Sequence, residues 1–150
     1  MSLSEWQQHG WLRAHQATPQ EVGDLLALAE RDLKDCKSKG LSDDWRFNIA
    51  YNAALQASNA ALVASGYAVA KGDSNHFRVI QSLAHKIGLD ANSIADFDDR
   101  RKRRSMSVYD AAGVITRQEA NQIIDFAKDL VARVKQWLTA QHPELVEEPE

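Results

Sequence analysis

Apolar residues along this chain recur every three to four positions, the spacing of one face of a helix, and no run of β-branched residues alternates as a strand would. The first segment, Leu3 to Gln16, carries Trp6, Trp11 and Leu12 and stops before Thr18-Pro19, a capping residue followed by proline at the first helical position. A second helix is predicted over 19–38, with Val22, Leu25, Leu26, Leu28, Ala29 and Leu33 inward and Gly40 at its C-terminal cap. Ser42, with Asp43 and Asp44, caps a third helix expected to run from Asp43 to Ala70, a rod of about 42 Å. Its stripe holds Phe47, Tyr51, Ala54, Leu55, Ser58, Leu62 and Ser65. The remaining alanines permit packing on several sides, so this is the expected central helix.

Gly72-Asp73-Ser74 breaks the chain ahead of a fourth helix with Phe77, Val79, Ile80, Leu83, Ala84 and Ile87, closed by Gly88. A fifth begins near Asn92 or Ser93. After Gly113, Thr116 and Glu119 form a capping box for a last helix that turns Ile123, Ile124, Phe126, Ala127, Leu130, Val131, Val134 and Leu138 inward and ends by Pro143. The pattern predicts an all-α helical bundle, one domain over 1–142, with a disordered acidic tail at 143–150.

Composition narrows the function. With 150 residues the chain can bury a core without metals or crosslinks. Its net charge of -3 leaves no global basic surplus for nucleic acid, so any such affinity must be local. One cysteine, Cys36, excludes an internal disulfide and suits a reducing compartment; beside Asp35 and Lys37 it reads as a half-exposed thiol. The polar N-terminus has no signal core and no stretch is apolar enough to span a bilayer, so a cytoplasmic location and no membrane partner are expected. His9, His15, His76, His85 and His142 lack metal-ligand spacing, and no cofactor motif is present, so neither metal nor cofactor is expected. His76 and His85, nine residues apart on one helix, point to opposite sides, and His76 reads as a surface or terminal residue. Trp6, Trp11, Trp45 and Trp137 are scattered and read as core or interface packing.

The most unusual stretch is Arg100 to Arg104, five consecutive basic residues directly after Asp96-Phe97-Asp98-Asp99. A solvated helix with acidic residues early and basic residues late would account for the charge order alone. Helical geometry adds something else: Phe97, Arg101, Arg104 and Val108 fall on one stripe that should face the bundle. Arginine is costly to bury without a partner. Either carboxylates hold Arg101 and Arg104, with Asp98, Asp99 and Asp110 the local candidates, or the two arginines line a cleft open to a phosphate-bearing ligand. Arg100, Lys102 and Arg103 project elsewhere.

Two stretches resemble the HEPN (higher eukaryotes and prokaryotes nucleotide-binding) domain: Arg46 to Leu55 running on to Ala64-Ser65-Gly66-Tyr67, and Arg101 to Asp110 leading into Ile115 to Ala120. The resemblance implies an up-and-down four-helix bundle, here with an additional N-terminal helix, that forms a homodimer with the motif helices meeting at a cleft. It also implies RNA or nucleotide binding, and a minimal nucleotidyltransferase as a partner in a toxin–antitoxin-type pair. In ribonuclease members the motif is Arg, a polar residue, spacers and His. Arg104 matches the arginine and Ser105 the polar residue, so Arg101, Arg104 and Ser105 become the expected phosphate ligands, whereas the histidine position is Tyr109. A tyrosine, with a reference pKa near 10, is a poor proton shuttle at neutral pH. Catalysis by Arg104 with Tyr109 therefore ranks behind phosphate binding and behind a non-catalytic protein-interaction module.

Overall fold

The computed structural model describes residues 2–70, 75–109 and 113–146, with side chains omitted at 75 and 106–109. Six helices fall within them: α1 (Leu3–Gln8), α2 (Pro19–Asp35), α3 (Asp43–Ala64), α4 (Asn75–Lys86), α5 (Ala91–Tyr109) and α6 (Arg117–Gln141). Two three-residue strands, β1 (Leu12–Ala14) and β2 (Tyr67–Val69), form an antiparallel ribbon with Leu12 opposite Val69.

The helix starts follow their caps. Thr18, Ser42 and Thr116 each accept a hydrogen bond from the backbone N–H three residues on, at 3.1, 3.2 and 3.1 Å. Asp90 caps α5 in the same way through the N–H of Ser93, so that helix begins slightly before its expected start. The central position of α3 also holds. It packs against α2, α4, α5 and α6, and Ala50, Ala53, Ala54, Ala57 and Ala60 are fully buried along it. Small side chains on every side let neighbouring helices approach closely.

The ribbon is a correction to the expected helix ends. The third helix stops at Ala64 rather than Ala70, because the Ser65 hydroxyl donates back to the Ala61 carbonyl and Gly66, at φ +95°, turns the chain into β2. The first segment is helical only to Gln8. Gly10 at φ +78° redirects it into β1, whose flanks are tied to β2 by His15 N–H donating to the Gly66 carbonyl and Ala70 N–H to the Trp11 carbonyl. Three-residue strands are too short to show a period. The acidic tail also departs from expectation: Pro143–Leu145 forms a 3₁₀ turn with Leu145 packed against the core, and 147–150 lie outside the described residues.

Polar ties fix the loop before α6. Asp44, in the first turn of α3, accepts from the N–H groups of Gly113 and Ile115 at 2.6 and 3.2 Å. Arg103 grips both Glu119 carboxylate oxygens at 2.7 and 3.0 Å and donates to the Val114 carbonyl at 2.7 Å. Among the described residues no helix is long and apolar enough to cross a membrane.

Candidate functional site

Four of the five basic residues of α5 divide between two sides of the helix, and Lys102 is exposed near Asp98. On one side Arg100 and Arg103 border a surface groove of ≈ 500 Å³ together with Asp96, Asp99, Glu119 and Asp125. Acid and base alternate there. Arg103 is held by Glu119, and Arg100 lies 4.8 Å from the Phe126 ring centroid, half-buried enough that desolvation lowers its pKa. Arg103, expected merely to project away, therefore belongs to the scaffold that holds the loop before α6.

On the other side Phe97 is fully buried, edge-on to Tyr51 at 5.9 Å and to Phe126 at 5.1 Å. Next to it on this face stand Arg101 and Arg104, both half-buried as the helical stripe predicts. Their partners differ. Arg101 donates through Nε to Asp98 at 2.7 Å, and its guanidinium lies 5.8 Å from the Phe77 ring centroid. The guanidinium of Arg104 sits 5.4 Å from the Tyr51 ring centroid, its Nε is buried without a hydrogen-bond partner, and no carboxylate pairs with it among the described residues. Local carboxylates thus account for Arg101 in part, through Asp98, and leave Arg104 unaccounted for. Asp110 lies outside the described residues.

Two side chains from other helices complete the cluster. Tyr51 of α3 is fully buried, and its hydroxyl is 3.2 Å from Nδ1 of His76 in the first turn of α4. Burial pushes the Tyr51 phenol up to about 12, against the opposite pull of Arg104 and Arg101, so it stays protonated. Burial also pushes His76 below the usual imidazole range, and the positive charges of Arg104 and Arg101 push it further in the same direction. At neutral pH the cluster therefore presents two cations beside a neutral imidazole whose Nδ1 is engaged. The imidazole can exchange a proton with a bound hydroxyl, and the guanidiniums can clamp an anion. Asn48, one turn before Tyr51 on α3, is buried with its side-chain carbonyl oxygen also unpartnered.

The sequence reading placed His76 at a surface or helix end and gave it no role. It does sit in the first turn of α4, but its contact with Tyr51 spans 25 residues of chain, and no local spacing announces it. Ser105 is exposed on α5. Tyr109 ends the helix, and its side chain, like that of Val108, lies outside the described residues.

Other expectations change as well. Cys36 is fully buried rather than half-exposed; its thiol donates to the Leu33 carbonyl at 3.2 Å, and burial raises its pKa. Trp6 and Trp11 meet edge-on at 6.4 Å and seat the N-terminal segment, with His85 5.0 Å from Trp6. Trp45 is 61% exposed and so is not part of the core.

The histidines set a pH dependence. His76 and His85 both have folded pKa values below that of the unfolded chain, so between those values the unfolded state binds more protons. Their contribution to stability is level above about pH 6.5 and falls as pH drops below it. Thermal melts at pH 7.5 and 5.5 should show a lower midpoint at pH 5.5, and His76→Gln should shrink that difference. Comparison with known proteins returns no matching family model and no matching curated protein.

Proposed function

We propose that this protein is a HEPN-like four-helix bundle that binds RNA or nucleotide phosphates through Arg101 and Arg104, with His76 beside them and the buried Tyr51 behind. The observation that carries this reading is Arg104: a half-buried guanidinium that, among the described residues, has an orphaned Nε and no carboxylate partner, beside a second arginine. A half-buried guanidinium normally requires an anionic partner, and a phosphate oxygen at its exposed end supplies one. His76 next to it is kept neutral by burial first and by the two arginines second, and a bound anion offsets the arginines' share of that shift.

In this reading Ser105, exposed on the same helix, adds a hydroxyl at the edge of the site. The protein acts as a homodimer that joins two such clefts, and it pairs with a minimal nucleotidyltransferase in a toxin–antitoxin-type system. Cleavage, if the site performs it, uses the His76 imidazole as the group that carries the proton, since Tyr109 is chemically unsuited to it.

The Arg101–Asp98 pair at 2.7 Å favours a second reading, a protein-interaction module whose arginines are satisfied by carboxylates. One experiment separates the two. Binding of fluorescein-labelled oligouridylate is measured at several salt concentrations for the wild type and for the variant carrying Arg101→Ala and Arg104→Ala. Salt-sensitive binding that the variant loses supports the phosphate site. No binding by the wild type removes the reading in favour of the interaction module.

A further inference from the structure

Arg101 and Arg104 share an unusual arrangement with a third arginine outside the site. Arg78, two residues after His76 on α4, has its guanidinium 3.8 Å from the Trp11 ring centroid and 5.3 Å from that of Phe77. The same Phe77 ring lies 5.8 Å from Arg101. Phe77 therefore bridges Arg78 to the Arg101 and Arg104 pair, and aromatic and cationic groups alternate from Trp11 through Arg78, Phe77 and Arg101, with Arg104 over Tyr51 beside them.

The means of holding these arginines matters. A guanidinium resting on a ring is fixed through its flat face, and the N–H donors in its plane stay free. A carboxylate partner would occupy those donors instead. Among the described residues Arg78, like Arg104, has no hydrogen bond or ion pair, and Arg101 commits only its Nε to Asp98. The helix that carries Arg78 has no acidic residue anywhere from Asn75 to Lys86, while it bears His76, Arg78, His85 and Lys86. Arg78 and Lys86 thus carry positive potential along α4 with no carboxylate on that helix to cancel it, His76 and His85 being neutral at pH 7, although the chain as a whole is negatively charged.

We propose that the anion site extends from Arg101 and Arg104 to Arg78, and that its ligand is a single-stranded polynucleotide held at several phosphates rather than a free nucleotide. This rests on the phosphate-binding reading and specifies its ligand class. A row of guanidiniums fixed on rings suits a chain with a charge at each residue. The half-buried Phe77 and Trp11 stand beside that path, where the bases of an unpaired strand can pack against them.

The test compares two probes, oligouridylate and uridine monophosphate, on the wild type, Arg78→Gln, Arg78→Lys and Arg104→Ala. Arg78→Gln keeps a side chain of similar shape over Trp11, and near-ultraviolet circular dichroism checks that the tryptophan cluster is unchanged. The expected result is a loss of about tenfold in oligouridylate affinity for Arg78→Gln, and a salt slope shallower by about 0.7, the value for one single-strand phosphate contact. Binding of the monophosphate should be unchanged. Arg78→Lys should keep the salt slope, and Arg104→Ala should weaken binding of both probes. Equal oligouridylate affinity and slope for wild type and Arg78→Gln would overturn the extended track while leaving the Arg104 site standing. Failure of the wild type to bind either probe would overturn the phosphate-binding reading, and the track with it.

Discussion

Replacing Arg101 and Arg104 together by alanine is expected to weaken oligouridylate binding by about a hundredfold while the helical circular dichroism spectrum is retained. Hydrogen bonds from a charged donor contribute about 1.5–3 kcal/mol each, and losing two, with allowance for non-additivity, gives that factor. The fold should survive because neither side chain is a keystone. Arg101 loses a bond to Asp98, but Lys102 also approaches that carboxylate, at 3.5 Å. Among the described residues Arg104 loses its contact with the Tyr51 ring, worth about 0.5–2 kcal/mol, and with it an unsatisfied buried Nε. Removing an unpartnered buried polar group offsets part of that loss. Arg104→Met, which fills the same space without charge, should melt at or above the wild-type midpoint while binding RNA about tenfold more weakly. A cooperative loss of structure in Arg104→Met would show instead that the arginine holds the bundle together.

The largest stability effect is expected at Phe97. Truncating it to alanine should destabilise the protein by about 3–5 kcal/mol, a large fraction of the 5–15 kcal/mol typical of a whole domain. Its ring is fully buried and touches Tyr51 of α3 and Phe126 of α6 edge-on, so three helices meet on it. For a chain of this length the thermal midpoint should fall by roughly 10 °C or more. Function should fall with it, because Phe97 sets the rotation of α5 that brings Arg104 over Tyr51. Phe97→Leu, which keeps most of the volume, should recover much of the stability; a Phe97→Ala protein melting within about 2 °C of wild type would refute the packing account.

These two predictions differ in how far the sequence foretold them. Phe97, Arg101 and Arg104 are legible as one stripe because the helical angle per residue is fixed, and the structure puts the first in the core and the other two half-buried beside it. Thr18, Ser42 and Thr116 are legible because capping is a local reaction between a hydroxyl and an N–H three residues away.

Contacts between distant segments are not legible in this way. Tyr51 with His76 spans 25 residues and Arg103 with Glu119 spans 16, and each pairing depends on how whole helices dock. The ribbon escaped for another reason: strands of three residues carry no period, and Ser65-Gly66 reads as easily inside a helix as at its end. The burial of Cys36 is not legible because its charged neighbours Asp35 and Lys37 say nothing about which way the thiol faces at the C-terminal cap of α2.

The most direct measurement of the central claim is the pKa of His76, followed by nuclear magnetic resonance of the imidazole with and without saturating oligouridylate. The free protein should titrate below the ordinary value near 6.5, because burial and the two arginines disfavour the imidazolium. Phosphate bound at Arg101 and Arg104 offsets their charge, so the pKa should rise on binding, and RNA affinity should increase as pH is lowered through that range. A His76 pKa that stays the same while RNA is fully bound would place the ligand elsewhere and contradict the account.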